Sequence, residues 1–493
     1  MADVLKIQPH DNVAVALRPL KAGEYLADVS LMQDVPTGHK FALKEIIAGN
    51  DIIKYGNPIG HAKVTIQAGE WVHTHNVSTN LSEQLTYSYE KSAIAVMPEI
   101  NEYKTFLGYM RADGRVGIRN ELWVIPTVGC VNQSAKLIAE EINELYKNTP
   151  NFDGAIALVH PYGCSQLGED HARTRNILAK MADHPNAGGV LVLGLGCENN
   201  TIAEFKQELG EYDARRIAFL TAQDVADEVE SGVELARPLV DSFTKIGRTE
   251  CGVDKLVIGL KCGGSDGFSG ITANPLVGVV SDIHIGAGGA TILTEVPEMF
   301  GAEQLLMARA KNEQVFEDIV HLINDFKTYY QKHNQPVYEN PSPGNKDGGI
   351  TTLEDKSLGC VQKGGTSEVV DVLAYGQQVR KTGLSLLSGP GNDGVACTVL
   401  AAAGCHIILF TTGRGTPLGT VVPTMKIATN SQLFNKKTKW MDFDAGQLLA
   451  GKAMDKLAHD LYNNILDVAS GKRCKAELMG HKDLVIFKSG VTV

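Results

Sequence analysis

From about residue 104 the chain alternates short apolar runs with amphipathic stretches. ELWVIPTVGC precedes SAKLIAEEINELYKN, GAIALVHPYGC precedes GEDHARTRNILAKMA, and GGVLVLGLGC precedes NTIAEFKQEL. Apolar runs that close on glycine predict buried strands. The helical repeat after each predicts a covering helix, and this alternation builds a parallel sheet. A second series begins at KLVIGLKCGG and continues through ATILTEVPEMF, LSLLSGPGNDG and CHIILFTTGRG. Residues 1–90 alternate at period two instead. KVTIQ and the turn AGE lead into WVHTHNV, which as a strand places Trp71, His73, His75 and Val77 on one face. The expectation is an α/β protein: a β-rich domain over 1–90, a polar linker over 91–103, an α/β middle domain over 104–240 and a second parallel-sheet domain over 241–493.

A chain of 493 residues that is 43% hydrophobic and 21% charged has material for two or three packed domains, so disorder is not the starting assumption. Its net charge of -11 and the absence of any long Lys/Arg run argue against nucleic acid and anionic membrane as partners, since nothing offsets phosphate repulsion globally. No stretch approaches the roughly 20 apolar residues of a membrane span. MADVLKIQPHDNVAV lacks the basic-then-apolar pattern of a leader, and a cytoplasmic location is expected. Nine cysteines without a CxxC pair argue for reduced thiols rather than a disulfide framework.

Loops at the carboxyl ends of parallel strands gather on one edge, where ligands bind. Cys130, Cys164, Cys197 and Cys262 each follow or close a predicted strand beside a glycine. Either they are small residues suited to crowded turns, or they converge on a thiophilic metal or an iron–sulfur cluster. GLGCEN matches only the first two glycines of a dinucleotide fingerprint and has Asn199 at the third, so a tight turn is the reading there. RADGRVGIRN supplies Arg111, Arg115 and Arg119, with Asn120 after them, either as a carboxylate-binding set or as an ordinary surface hairpin with solvated arginines. KCGGSDGFSGITANP packs Cys262, Asp266, Ser269, Thr272 and Asn274 between a strand and a helix start, and Glu295 ends the next strand. TTGRGTP adds Arg414 and Thr416 at another strand end. Arginine for a carboxylate, hydroxyls and amides for OH groups, and a cation for developing charge describe a site for a polyhydroxy acid.

GEWVHTHN, GYMRADGRVGIRN, HPYGCSQ, GLGCEN, KCGGSDGFSGITANP, LTEVPE and TTGRGTPLGTVVPTMKIATN together resemble the altronate/galactarate dehydratase family, in order and across nearly the whole chain. The resemblance implies an N-terminal β-clip domain of the SAF type, a middle dimerisation domain and a Rossmann-like catalytic domain. It further implies a homodimer using Fe(II), or Mn(II) or another divalent metal, to eliminate water from an aldonate or aldarate. For D-altronate the product would be 2-keto-3-deoxy-D-gluconate, in hexuronate catabolism. Such a reaction removes the proton alpha to the carboxylate and then the neighbouring hydroxyl. His73, His75 and Cys262 are the metal-ligand candidates under this resemblance. His160, His171, Asp266 and Glu295 are the acid/base candidates. The alternatives are a dehydratase for galactarate or another hydroxy acid, an iron–sulfur dehydratase using three strand-end cysteines, and a non-catalytic sugar-acid binding protein.

Overall fold

The computed structural model of this chain describes residues 3–81, 86–92 and 104–493. The N-terminal domain is built of short antiparallel strands. One sheet runs in the order Val4–Leu5, Val13–Ala16, Lys40–Ala42, Trp71–Val72, and another holds Asp51–Lys54, Asn57–Ala62 and Val77–Ser78. The WVHTHNV stretch is not one strand. Asn76 Oδ1 accepts from the His73 amide at 2.9 Å and Asn76 Nδ2 donates to the Trp71 carbonyl at 2.9 Å. The Asn76 and Val77 amides both donate to the His73 carbonyl at 3.0 Å. An asparagine side chain that satisfies nearby backbone replaces a strand partner with a turn.

Most of the expected linker, residues 93–103, lies outside the described residues. The polar stretch before it is pinned where it is described. Tyr87 donates to Glu303 at 2.6 Å, Tyr89 to the Ala310 carbonyl at 2.8 Å, and Lys91 pairs with Glu368 at 2.9 Å.

The middle domain carries a four-stranded parallel sheet in the order Gly154–Ala157, Glu121–Pro126, Ala187–Gly194, Ile217–Thr221. The eight residues of Ala187–Gly194 are all buried, which is why they read as one continuous apolar run. Helices Asn132–Tyr146, Glu169–Asp183 and Ile202–Leu209 form its three connections, and Glu228–Phe243 follows the last strand. A separate sheet joins Thr105–Met110 antiparallel to both Val116–Gly117 and Thr249–Gly252, so the chain enters and leaves the middle domain through one structure.

The C-terminal domain holds seven parallel strands in the order Val369–Leu373, Gly383–Leu387, Ala290–Leu293, Val257–Cys262, Ile407–Thr412, Thr424–Ala428, Phe443–Asp444. From Val257–Cys262 the chain builds to one side and later resumes on the other at Ile407–Thr412. That reversal opens a crevice beyond the carboxyl ends of those two strands. No helix among the described residues is long and apolar enough to cross a membrane.

Candidate active site

Val257–Cys262 delivers two reactive side chains at its end, Lys261 and Cys262, respectively 0% and 1% exposed. The chain leaves the neighbouring strand, Ala290–Leu293, through Glu295, whose backbone is left-handed at φ 69°. A non-glycine residue there stores on the order of 1–3 kcal/mol of strain. That bend sends the following turn, Val296–Glu298, back over the strand ends, so both Glu295 and Glu298 face Cys262. Glu295 bonds Lys261, accepts from the Cys262 amide at 2.9 Å and lies 3.4 Å from Lys363 Nζ. Lys261 also holds Asp393 at 2.8 Å.

Cys360 ends the helix Leu353–Cys360, and Lys363 follows in the turn Val361–Gly364. Cys262 Sγ lies 3.4 Å from Cys360 Sγ, and each sulfur is 3.2 Å from Glu298 Oε2. Lys363 Nζ approaches Cys262 Sγ at 2.8 Å. Lys356 bonds the other oxygen of Glu298 at 2.8 Å. Among the described residues, Cys262, Glu298 and Cys360 are the one set whose metal-ligating atoms all lie within 4.8 Å of one another. Around a tetrahedral ion, metal–sulfur bonds of about 2.3 Å set sulfurs about 3.7 Å apart. The three donors therefore surround a metal-sized point once they relax outward by a few tenths of an ångström. Two thiolates and a carboxylate suit Fe(II) or another borderline-soft divalent ion, and their three negative charges offset it.

The surrounding charges set the protonation states. Burial works against the Glu298 carboxylate, but the ammoniums of Lys356, Lys261 and Lys363 outweigh it and hold the group well below the usual carboxylate range. Burial and then the Glu298 charge push Glu295 the other way. Burial likewise disfavours charge on Lys261, yet Glu295 and Asp393 keep it an ammonium. The Cys360 thiol is driven up first by its hydrogen bond with Cys262 and then by burial. Asp393 is the open edge of this cluster, its side chain 39% exposed.

On the other side of the Gly263–Gly264 turn stands Asp266, 8% exposed. It accepts from Thr429 Oγ1 at 3.0 Å, Asn430 Nδ2 at 3.1 Å and Ser269 Oγ at 3.1 Å, but burial outweighs these donors and raises its carboxyl. Two glycines make the close packing possible. A Cβ at Gly263 would stand 2.7 Å from Asp393, and one at Gly413 would stand 2.1 Å from the Asp266 carboxyl. Arg414 follows Gly413 and is exposed at the crevice.

Several other candidates from the same loops brace the backbone. The Thr272 hydroxyl faces the carbonyls of Phe268 and Thr429 at 3.0 and 2.7 Å. Asn274 donates to the Gly359 carbonyl at 3.1 Å and accepts from Thr411 at 2.6 Å. Thr416 Oγ1 accepts from the Leu418 amide at 3.2 Å.

The structure brings Cys262, Asp266, Ser269, Glu295 and Arg414 to one edge. It sets the middle-domain candidates elsewhere. His160 uses both ring nitrogens on backbone: Nε2 donates to the Pro126 carbonyl at 2.8 Å and Nδ1 accepts from the Tyr162 amide at 3.2 Å. Burial lowers its pKa to about 4, so it is a neutral bracket. His171 lies in the first turn of Glu169–Asp183. Arg111 bonds the Pro185 carbonyl, Asn120 Oδ1 and the Arg119 carbonyl at 2.8, 2.7 and 2.9 Å. Asn120 turns its own amide to the Asn151 and Phe243 carbonyls, and Arg119 forms a buried pair with Glu477 at 2.7 Å. Arg115 is spent on Asp113 and Asp183. Arg111 and Arg115 line a cavity of about 450 Å³, but Asp113, Asp183 and Asp213 share it. These arginines cement the middle domain and its junction, and no free fork is left for a carboxylate.

His73 stacks on Trp71 with ring centres 5.2 Å apart, and His75 packs against the same indole at 5.3 Å. Burial, then the Lys40 ammonium, lowers the His73 pKa to about 3. His39 makes a hydrogen bond into the C-terminal domain. Its Nε2 donates to the Asp347 carbonyl at 3.2 Å, and Nδ1 accepts from Trp71 Nε1 at 3.3 Å. Sequence reasoning missed His39, Lys261, Glu298, Cys360, Lys363 and Asp393. Glu298, three residues after Glu295, and Asp393, in a glycine-rich loop after a strand, carried a legible signal. Cys360 and Lys363 carried none, because a helix nearly a hundred residues away brings them in.

A parallel-sheet domain with buried carboxylates, ammoniums and thiols at its switch point has the build of an α/β enzyme acting on a charged polar substrate. Three family models cover the chain: the altronate/galactarate dehydratase SAF domain over 2–80, the D-galactarate dehydratase/altronate hydrolase second domain over 108–244, and the D-galactarate/altronate dehydratase C-terminal domain over 253–492. The chain is 52% identical to an altronate dehydratase of Bacillus subtilis (strain 168) over 100% of both chains. It is 52% identical to an altronate dehydratase of Escherichia coli (strain K12) over 99% of both. A galactarate dehydratase (L-threo-forming) of Escherichia coli (strain K12) is 35% identical, over 95% of this chain and 93% of that one. The chain belongs to the altronate/galactarate dehydratase family.

Proposed function

We propose that this protein is a hydro-lyase that dehydrates D-altronate to 2-keto-3-deoxy-D-gluconate and water. The observation that carries the reading is the buried set of Cys262, Glu298 and Cys360 beside Lys261 and Lys363, at the sheet's switch point, in a chain aligned end to end with altronate dehydratases. The galactarate-specific relative stands further off, which favours the aldonate over the aldarate.

The residues divide the work by exposure. Arg414, free at the rim, takes the acid's carboxylate by its guanidinium fork. Asp393, the half-exposed carboxylate held by Lys261, receives the alpha proton. The Lys261 ammonium stays in place as negative charge develops on the substrate and needs no reorganisation to meet it. Asp266, its carboxyl raised by burial, gives its proton to the departing hydroxyl, which leaves as water. The enol that remains becomes the 2-keto acid. Held by Cys262, Glu298 and Cys360, Fe(II) or another divalent ion would supply Lewis-acid stabilisation of the enediolate charge. The resemblance also supports a homodimer in the cytoplasm, to be checked by light scattering and by fractionation.

Anaerobic incubation with Fe(II) and a panel of aldonates and aldarates, scored for 2-keto-3-deoxy acid, tests the assignment. Altronate should turn over fastest. Turnover of no panel member by metal-loaded protein would overturn the reading, and preference for galactarate would overturn its substrate.

A further inference from the structure

The middle domain carries a second constellation that dehydration at the C-terminal crevice does not use. Cys130, Cys164 and Cys197 are free and exposed. They sit on three loops that follow adjacent parallel strands, Glu121–Pro126, Gly154–Ala157 and Ala187–Gly194. Glu121–Pro126 lies between the other two, so the chain passes to one side of it and then returns to the other. The Cys130 turn occupies that reversal, flanked by the loops of Cys164 and Cys197.

The loops interlock. Gly129 N donates to the Tyr162 carbonyl at 2.8 Å, Asn200 N to the Gly163 carbonyl at 3.0 Å, and Asn200 Nδ2 to the Thr127 carbonyl at 3.0 Å. Cys164 Sγ meets Asn199 Oδ1 at 3.3 Å, two residues from Cys197. A Cβ at Gly163 would stand 2.0 Å from the Thr127 carbonyl oxygen, so only glycine permits this approach. Buried polar atoms point to a ligand as well. Gln166 Nε2 and Asn200 Oδ1 have no protein partner, on residues 6% and 0% exposed, and both residues bond Gly163 beside Cys164.

Three exposed thiols on adjacent loops select a soft metal. Because the one described set of three donors within 4.8 Å is the C-terminal one, these three sulfurs stand too far apart for a single ion. We propose that Cys130, Cys164 and Cys197 hold a [4Fe–4S] cluster. Three thiolates ligate three irons and leave the fourth open to an oxygen ligand such as a hydroxyl or carboxylate. This goes beyond the dehydration reading. It concerns another domain and holds whichever sugar acid the enzyme takes.

The test uses the full chain, purified anaerobically and reconstituted with iron salts and sulfide under excess thiol. Wild type is expected to hold about four irons and about four acid-labile sulfides per chain, with the broad visible absorbance of a cluster. The triple variant Cys130→Ser, Cys164→Ser, Cys197→Ser should lose sulfide and absorbance, whereas Cys262→Ser should keep both. Wild type that takes up iron without labile sulfide, or binds zinc in preference, overturns the proposal. Loss of sulfide in Cys262→Ser, or its retention in the triple variant, does the same. Single serine variants, checked by circular dichroism, serve if the triple variant does not fold. Because sulfide is read directly, failure here leaves the turnover assay of the dehydration reading untouched.

Discussion

Asp393 is the carboxylate on which the proposed proton transfer turns, and its geometry says why. It bonds a lysine that has no exposure of its own, yet its own side chain remains 39% open. Asp393→Asn keeps the shape and removes the base, so kcat should fall about 10²–10⁴-fold with little change in the unfolding midpoint. Near-normal turnover in that variant, measured beside its circular dichroism spectrum, would take the base elsewhere. Cys262, Asp266 and Glu295 were legible as residues at strand ends, because a strand's length and its glycine turn are written locally. Lys261 was hidden inside an apolar run, where a lysine reads as an interruption rather than as a buried ammonium between two carboxylates. The turn at His73–Asn76 was hidden too, because the side-chain amide of Asn76 competes with strand pairing and alternation alone does not weigh that competition.

At the scale of elements, the helix Leu353–Cys360 is a lever between two domains. Lys40 and Lys54 from N-terminal strands both grip Asp355 near its start at 2.9 Å, and Thr79 holds Glu354 at 2.8 Å. The other end of the helix supplies Cys360 to the thiol–carboxylate set. The backbones meet closely beside this grip: a Cβ at Gly267 would lie 1.9 Å from the Gly38 carbonyl oxygen. Asp355→Asn would leave two buried ammoniums without their counter-charge, a loss of roughly 3–5 kcal/mol. Hydrogen exchange should then rise across residues 3–81 while the strand Ile407–Thr412 stays protected, and metal affinity should fall because Cys360 loses its anchor. Unchanged exchange in the N-terminal domain would contradict this coupling.

The Arg119–Glu477 pair ties the middle domain to the C-terminal segment in the same way. Burial opposes charge on Glu477, but Arg119 overcomes it and brings the group from 4.5 down to about 2. A depressed carboxylate binds fewer protons folded than unfolded, so its stabilisation is complete above about 4.5 and is lost as pH falls toward 2. The urea midpoint of wild type should drop through that window, and the gap between it and Glu477→Gln should narrow. A constant gap would deny the pair its role.

For the whole molecule, the proposed reaction draws on the C-terminal sheet, the helix that brings Cys360 and the N-terminal domain that holds that helix, and it calls for a divalent ion at the Cys262, Glu298 and Cys360 set. Anaerobic treatment with a chelator should abolish turnover, and added Fe(II) should restore most of it while Mg(II) restores little, since thiolates prefer the softer ion. Full activity after the metal is removed, confirmed by elemental analysis, would separate the reaction from the ion.

The sequence by itself determined the α/β class, the N-terminal β domain, the strands that end in glycine and the motifs that mark the family, because hydrophobic period, turn chemistry and motif order are properties of neighbouring residues. Only the tertiary structure decided which strand ends share a crevice, that Cys360 and Lys363 join Cys262 there, that the RADGRVGIRN arginines serve as internal ties, and that His39 crosses to the C-terminal domain. Those outcomes depend on strand order and on buried charges finding partners hundreds of residues away, and no local pattern encodes a partner at that distance.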